Sequence, residues 1–237
     1  MLSPVPAALA HWKDLCLDAA DADRAMAFWA PLLGLHPERR DNGDGVMRGE
    51  RPEATVWVNR VPEPKSGKNR VHLDLVAGDL VKDTAALVSA GAIHLPAFAP
   101  NDDWEVLADP EGNELCLFPP TSRETGRPQP TALVVDSPRP VEAAAWWAGV
   151  LGARQGDDEE APARWLLDVP GLPFDVWKFV GVEDPKTVKN RWHWDVTADS
   201  LGALVEGGAT VLRALDDEIR WTVMADPEGN EFCVFID

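Results

Sequence analysis

The octapeptide NRVHLDLV at residues 69–76 returns as NRWHWDVT at 190–197, so a histidine and an aspartate two residues apart occur twice, as His72 with Asp74 and as His193 with Asp195. Residues two apart on a strand share a face. An imidazole beside a carboxylate offers two chemistries. The carboxylate can fix the ring's tautomer and raise its basicity, giving a general acid or base near neutral pH. Imidazole and carboxylate can also serve as ligands of a divalent metal. A third arrangement does no chemistry: the pair satisfies its own hydrogen bonds and nearby backbone groups, and simply holds the strand.

Alternation along the strands says which way these groups point. Val71, Leu73 and Leu75 oppose Arg70, His72 and Asp74, and Trp192, Trp194 and Val196 oppose Arg191, His193 and Asp195. Two later segments follow the same rule, with Leu115 and Leu117 against Glu114, Cys116 and Phe118, and Phe232 and Val234 against Glu231, Cys233 and Phe235. Helices must cover the oily face, which leaves the polar face for the inside of a trough or for open water. Cys and Phe on the polar side favour the trough, because Cys is among the residue types most often buried. The expectation is that His72, Asp74, Glu114 and Cys116 line one cavity and His193, Asp195, Glu231 and Cys233 a second.

The elements that position these residues are also written twice. LADPEGNELCLF at 107–118 returns as MADPEGNEFCVF at 224–235, and AFWAPLLGL at 27–35 is echoed by AWWAGVLGA at 145–153. The offsets are 117 between Asp109 and Asp226, 118 between the helical segments and 121 between the histidines, so the length differences fall in loops. Two whole domains are implied, 1–120 and 131–237, joined by a Pro-rich polar linker at 121–130. Within a copy, WKDLCLD reads as a strand. DADRAMAFWAPLLG reads as a helix, with Met26, Trp29 and Leu33 at helical spacing and Gly34 at its stop. ATVWVNRV and the histidine segment read as strands, and GDLVKDTAALVSAGA as a helix with Leu80, Leu87 and Val88 on its apolar side. WEVLA and NELCLF are strands joined by DPEGN, whose Asp, Pro and Gly suit a hairpin turn. The fold class is α+β.

Composition excludes several classes. The 237 residues carry 40 acidic and 22 basic side chains, a net charge of -18 that repels phosphate backbones and anionic membrane surfaces. Neither a nucleic-acid nor a membrane partner is expected. Three cysteines with no CxxC pair indicate neither a disulfide framework nor a zinc knuckle, and no apolar stretch is long enough to span a bilayer. The reading is a cytoplasmic protein, either monomeric with pseudo-dimeric halves or a homodimer. Two basic loops, PKSGKNR at 64–70 and PKTVKNR at 185–191, could draw an anionic group or could pair with nearby acids. Eleven Trp and no Tyr leave ligand stacking and codon bias both open.

The FW of the first helix followed by LLGL or VLGA, the histidine strand followed by a short helix ending in GA, and DPEGN before the last strand, in that order and twice, resemble the vicinal oxygen chelate superfamily. Its members include glyoxalase I, bleomycin-resistance proteins and extradiol dioxygenases, and the nearest likeness is to tandem glyoxalase-like proteins. The resemblance implies two βαβββ modules per half, curled into a half-barrel sheet with helices outside. It also implies metal ligands in the metal-using members, but those carry over only in part. His72 and His193 match one ligand position. Another falls on Lys13 and Thr131, with His11 displaced by two residues. The terminal Glu position holds Cys116 and Cys233, and no acid is in register near Trp57 and Trp177.

No cofactor is therefore expected. A divalent metal, if any, would use His72, Cys116, His193 and Cys233. The resulting reading is a metal-independent small-molecule-binding protein of the bleomycin-resistance type, taking an aromatic or cationic ligand. Trp57, Glu114, Cys116, Trp177, Glu231 and Cys233 are its candidate contacts, with core packing the competing role for Trp57 and Trp177. The alternative is an enzyme, a lyase, isomerase or oxygenase, with His72, Asp74, His193 and Asp195 as catalytic groups. A purely structural module with filled troughs is the third.

Overall fold

The computed structural model describes residues 7–95, 104–120, 127–157 and 163–236. Four βαβββ modules follow one another along the chain. The first contains β1 (Ala10–Ala19), α1 (Ala22–Leu33), β2 (His36–Arg39), β3 (Gly45–Arg48) and β4 (Val56–Arg60). The second contains β5 (Val71–Val76), α2 (Leu80–Ser89), β6 (Ile93–His94), β7 (Glu105–Ala108) and β8 (Glu114–Phe118). The third contains β9 (Gln129–Ser137), α3 (Pro140–Leu151), β10 (Arg154–Asp157), β11 (Ala163–Leu167) and β12 (Val176–Gly181). The fourth contains β13 (Trp192–Ala198), α4 (Leu201–Glu206), β14 (Thr210–Arg213), β15 (Thr222–Ala225) and β16 (Glu231–Ile236). Of the linker expected at 121–130, residues 121–126 lie outside the described residues, and Gln129 and Pro130 already belong to β9.

Local chemistry sets the helix ends. Asp21 accepts from the Arg24 amide to cap α1, and Gly34, at φ 70°, closes it in the left-handed conformation. Asp79 caps α2 by accepting from Lys82 N. Leu87 of α2 is buried but Val88 is 44% exposed, so the apolar side of this helix is narrower than its sequence suggests.

The modules pair in an order that the repeats do not reveal. One eight-stranded sheet runs β14-β15-β16-β13-β1-β4-β3-β2 and the other β10-β11-β12-β9-β5-β8-β7-β6. The first module thus joins the fourth, and the second joins the third. Each sheet takes one module from each half of the chain, and exchanging the halves maps one sheet onto the other. At the centre, β1 pairs antiparallel with β13 and β5 with β9, so each histidine strand lies beside the opening strand of the other repeat.

Six of the eleven Trp are buried, namely Trp12, Trp29, Trp147, Trp177, Trp192 and Trp194, which makes the Trp-rich composition largely a property of the core. Trp177 of β12 lies 5.8 Å from Trp12 of β1 and 4.7 Å from Trp194 of β13, centroid to centroid, so indoles interlock the apolar faces of the two sheets. Such aromatic edge-to-face pairs each add about 0.5–1.5 kcal/mol beyond area burial.

The two DPEGN turns tie each half to itself. Asp109 accepts from Trp29 Nε1 at 2.8 Å and from the backbone amides of Glu111 and Asn113, and Asp226 accepts from Trp147 Nε1 at 3.0 Å and from Glu228 N and Asn230 N. Asn113 Oδ1 accepts from Asn69 Nδ2 and Asn230 Oδ1 from Asn190 Nδ2, both at 3.0 Å, which accounts for the asparagine of the doubled octapeptide. The halves are therefore stitched internally by side chains and to each other by sheets.

Candidate functional site

The alternation of the histidine strands is realised. Val71, Leu73 and Leu75 of β5 and Trp192, Trp194 and Val196 of β13 are at most 1% exposed on the core side, which leaves His72 with Asp74 and His193 with Asp195 on the opposite faces. In the β5 sheet, one donor atom each from His72, Asp74 and Cys116 lie within 4.8 Å of one another. In the β13 sheet the matching group is Cys16, His193 and Asp195. Cys233 sits beside Asp195 across the β13–β16 ladder, and burial pushes its thiol well up.

The two groups differ in environment. The β13 group is closed, with Cys16, His193 and Asp195 only 4–5% exposed. Cys16 Sγ donates to Asp195 Oδ1 at 3.4 Å. Burial first, and then neighbouring Asp14, raises the Asp195 carboxyl far above the usual carboxylate range. Burial likewise raises the Cys16 thiol and lowers the His193 imidazole, whose Nδ1 has no hydrogen-bond partner among the described residues. Asp14 accepts from Lys13 Nζ at 2.6 Å and from Trp57 Nε1 at 3.1 Å. Burial thus disfavours the charged form of all three groups.

The β5 group is half open. His72 and Cys116 are partly exposed, and Asp74 accepts from Lys178 Nζ of β12 at 2.8 Å. His72 Nε2 lies 3.6 Å from Asp74 Oδ1, too far for a hydrogen bond, so the carboxylate serves the lysine rather than the ring. The Lys178 ammonium stands 5.5 Å from the Phe118 ring and 5.6 Å from that of Trp165, and Trp104 stacks on Phe118 at 5.8 Å. The Cys116 thiol is pushed well up by burial and then by Asp74.

Other expected contacts fall elsewhere. Glu114 accepts from Lys65 Nζ at 3.0 Å and Asn69 N at 3.2 Å, and Glu231 from Lys186 Nζ at 2.7 Å and Asn190 N at 3.1 Å. The remaining loop lysines are paired as well, Lys68 with Asp136 and Lys189 with Asp18, each across the β5–β9 or β1–β13 seam. The basic loops thus tie strands together.

Trp177 is not the counterpart of Trp57. Trp57 pairs with Cys16 on the polar face, whereas Trp177 is wholly buried in the indole core. The residue in register with Trp57 is Lys178, one position later, because motif matching slipped by one residue and so exchanged faces. Cys16 and Asp14 were also missed. Their alternation with Leu15 and Leu17 is visible in WKDLCLD, but only the module exchange brings them to His193. The better-formed cavities of the described surface are lined by neither histidine.

With this geometry in place, comparison with known proteins is direct. The profile described as Glyoxalase-like domain matches residues 14–118 and again 132–235. The chain belongs to the glyoxalase-like domain family. It carries two such domains in tandem, and the vicinal oxygen chelate resemblance drawn from the doubled motifs is borne out. Glyoxalase I from Zea mays is similar at 14% identity with TM-score 0.63, over 95% of this chain and 92% of that one. A putative dioxygenase from Bacillus subtilis matches at 11% identity and TM-score 0.58, over 98% and 86%. The cppA protein from Streptococcus pneumoniae matches at 8% and 0.51, over 98% and 100%. At these identities the likeness is one of fold. None of the curated proteins matches the sequence. No helix among the described residues is long and apolar enough to cross a membrane.

Three donor atoms in each group stand close enough to hold a metal ion, and in both groups the carboxyl already has another partner. In the β5 group the Lys178 ammonium already neutralises Asp74, the only carboxylate of the three donors. In the β13 group the thiol hydrogen-bonds the carboxyl, and all three donors are buried.

Proposed function

We propose that this tandem glyoxalase-like protein binds a planar aromatic small molecule, without a metal, on the polar face of the sheet that carries His72. The observation behind the reading is the half-open row His72, Asp74 and Lys178 beside the rings of Phe118 and Trp165, set against its closed counterpart around His193. A flat ring would pack on the aromatic faces and present an acceptor oxygen to the Lys178 ammonium and the His72 ring. Because Lys178 occupies this face and neutralises Asp74, a cationic ligand is disfavoured, and the aromatic branch of the sequence expectation is retained. The binding-protein reading of the bleomycin-resistance type gains over the acid-base enzyme because Asp74 does not orient His72.

The test is a titration with 2-naphthoate, followed by Trp fluorescence and by mass spectrometry of the recovered probe. The proposal expects saturable binding of one equivalent per chain with the probe unchanged. An absence of saturation, two equivalents, or conversion of the probe would each refute it.

A further inference from the structure

The duplication supplies an internal comparison between two glutamates. Glu111 and Glu228 hold the same position in the two DPEGN turns, and each reaches across to the turn that opens the first helix of its half. In the first half the amides of Ala20 at 2.8 Å and Asp21 at 2.6 Å serve one oxygen of Glu111 each, and Arg191 pairs with the carboxylate at 3.2 Å. Both oxygens are occupied.

The second half lacks one of these donors. Pro138 stands where Ala20 does, and proline has no amide hydrogen. Glu228 Oε1 accepts from Ser137 Oγ at 2.9 Å and from Arg139 N at 3.1 Å. Its Oε2, the oxygen that Ala20 serves in Glu111, is buried with no hydrogen-bond partner among the described residues. The arginine contact is missing too, because Arg70, the counterpart of Arg191, donates to Pro185 O at 2.8 Å and pairs with no carboxylate among the described residues. Packing around Glu228 is also looser. Glu228, Arg139 and Pro227 line both a cavity of about 240 Å³ on the Arg70 side and one of about 230 Å³ on the Trp146 side, whereas the cavity beside Arg191 measures about 80 Å³ and does not reach Glu111.

We infer that Glu228 is a pH-sensitive latch: in its neutral form it holds the turn at residues 137–139 against the second DPEGN turn, and its ionisation lets that corner open while the Glu111 corner stays closed. A carboxylate at this position is short of the donors that stabilise its charge, whereas a neutral carboxyl leaves only one weak acceptor unserved. Neighbouring groups do not make up the deficit. Arg139 Nε stands 3.8 Å from Oε1 on an exposed side chain, and Asp226 of the same turn opposes ionisation. Across the Arg70 cavity, Asp136 is committed to Lys68 and Lys186 to Glu231, and Glu142 of α3 adds a negative charge on the Trp146 side. Burial, and to a lesser degree Asp226, raises the Glu228 carboxyl above its ordinary 4.5 against the bonds from Ser137 and Arg139. Its contribution to stability is therefore fully present below 4.5 and is lost as pH rises toward the raised value.

The test is amide hydrogen exchange of the full chain between about pH 4.5 and pH 8, with each rate divided by that of the unfolded sequence at the same pH. Protection of the Arg139 amide, which donates to Glu228, is expected to fall at least threefold as pH rises, while the Ala20 and Asp21 amides on Glu111 keep theirs. Glu228→Gln cannot ionise, and its oxygen can keep the Ser137 and Arg139 contacts, so its Arg139 profile is expected to be level. Pro138→Ala restores the amide hydrogen that Ala20 supplies in the first half, and it is expected to flatten the profile with Glu228 still in place. A level Arg139 profile in the native chain, or a fall as large as the native one in either variant, would overturn the latch.

Discussion

Cys16 of β1 stands directly opposite His193 of β13, although the two belong to different halves of the chain, and its thiol donates to Asp195 on the same face. This contact exists only because the modules exchange partners. It places the histidine, aspartate and thiol of one face in a buried cluster beside the Lys13–Asp14 pair, while the other face, with Lys178 on Asp74, leaves its histidine and thiol partly exposed.

Closure of that cluster makes its thiols inert. Cys16 and Cys233 are raised by burial, so the thiolate that reacts is scarce at neutral pH. Cys116 is raised as well, with partial exposure its only advantage. Native protein treated with a disulfide reagent at pH 8 is expected to react slowly at Cys116 and not measurably at the other two until denaturant is added. Rapid labelling of Cys16, read by peptide mass spectrometry, would show the cluster to be open.

The same cluster sets two opposite pH dependences. His193 is lowered below its ordinary 6.5, so its contribution to stability is fully present above that value and is lost as pH falls through the lowered value. Asp195 is raised above 3.8, so its contribution is fully present below 3.8 and is lost as pH rises toward the raised value. Asp195→Asn should therefore gain in melting temperature relative to the native protein as pH increases from about 4, and His193→Gln should lose its disadvantage below about 6.5. Parallel melting curves against pH for the native protein and either variant would contradict the assignment.

The DPEGN aspartates hold the helices to the hairpins through buried indole N–H groups. Asp109→Ala or Asp226→Ala strands Trp29 or Trp147 Nε1 and two or more backbone and amide donors, a loss of about 2–3 kcal/mol by the usual cost of a buried unsatisfied group. Urea denaturation measures it, and a change below about 0.5 kcal/mol in both would mean that the turns, rather than these contacts, explain the motif.

Because each sheet is shared, neither half completes a sheet alone. Residues 1–120 expressed separately leave β1 and β5 as open edges, which invite pairing with another chain. The isolated half is expected to dimerise or aggregate, and mixing it with residues 131–237 is expected to give a one-to-one complex by size exclusion. A stable monomeric half would contradict the exchange.

Much of this was legible in the residues themselves. Period-two alternation placed Leu73 inside and His72 outside without any tertiary knowledge, and Gly34 and the DPEGN turns marked element ends by backbone chemistry alone. What alternation cannot report is which strand lies alongside. The repeats show that β1 resembles β9, but not that β1 lies against β13, so Cys16 and Asp14 could not be joined to His193. Lys178 was hidden by a one-residue slip toward the more conspicuous Trp177, and on a strand one residue is the difference between core and site. Glu114 and Glu231 were assigned to the correct face, but the loop lysines that claim them lie outside any strand pattern.

The account rests on the His72 face being the one that binds, with Lys178 as its charged contact. The most direct measurement is the affinity for 2-naphthoate of the native chain, Lys178→Gln and His193→Gln under one set of conditions. The account expects Lys178→Gln to bind at least tenfold more weakly and His193→Gln to bind as the native protein does, within a factor of two. Unchanged affinity in Lys178→Gln together with loss of binding in His193→Gln would contradict it and move the site to the other sheet.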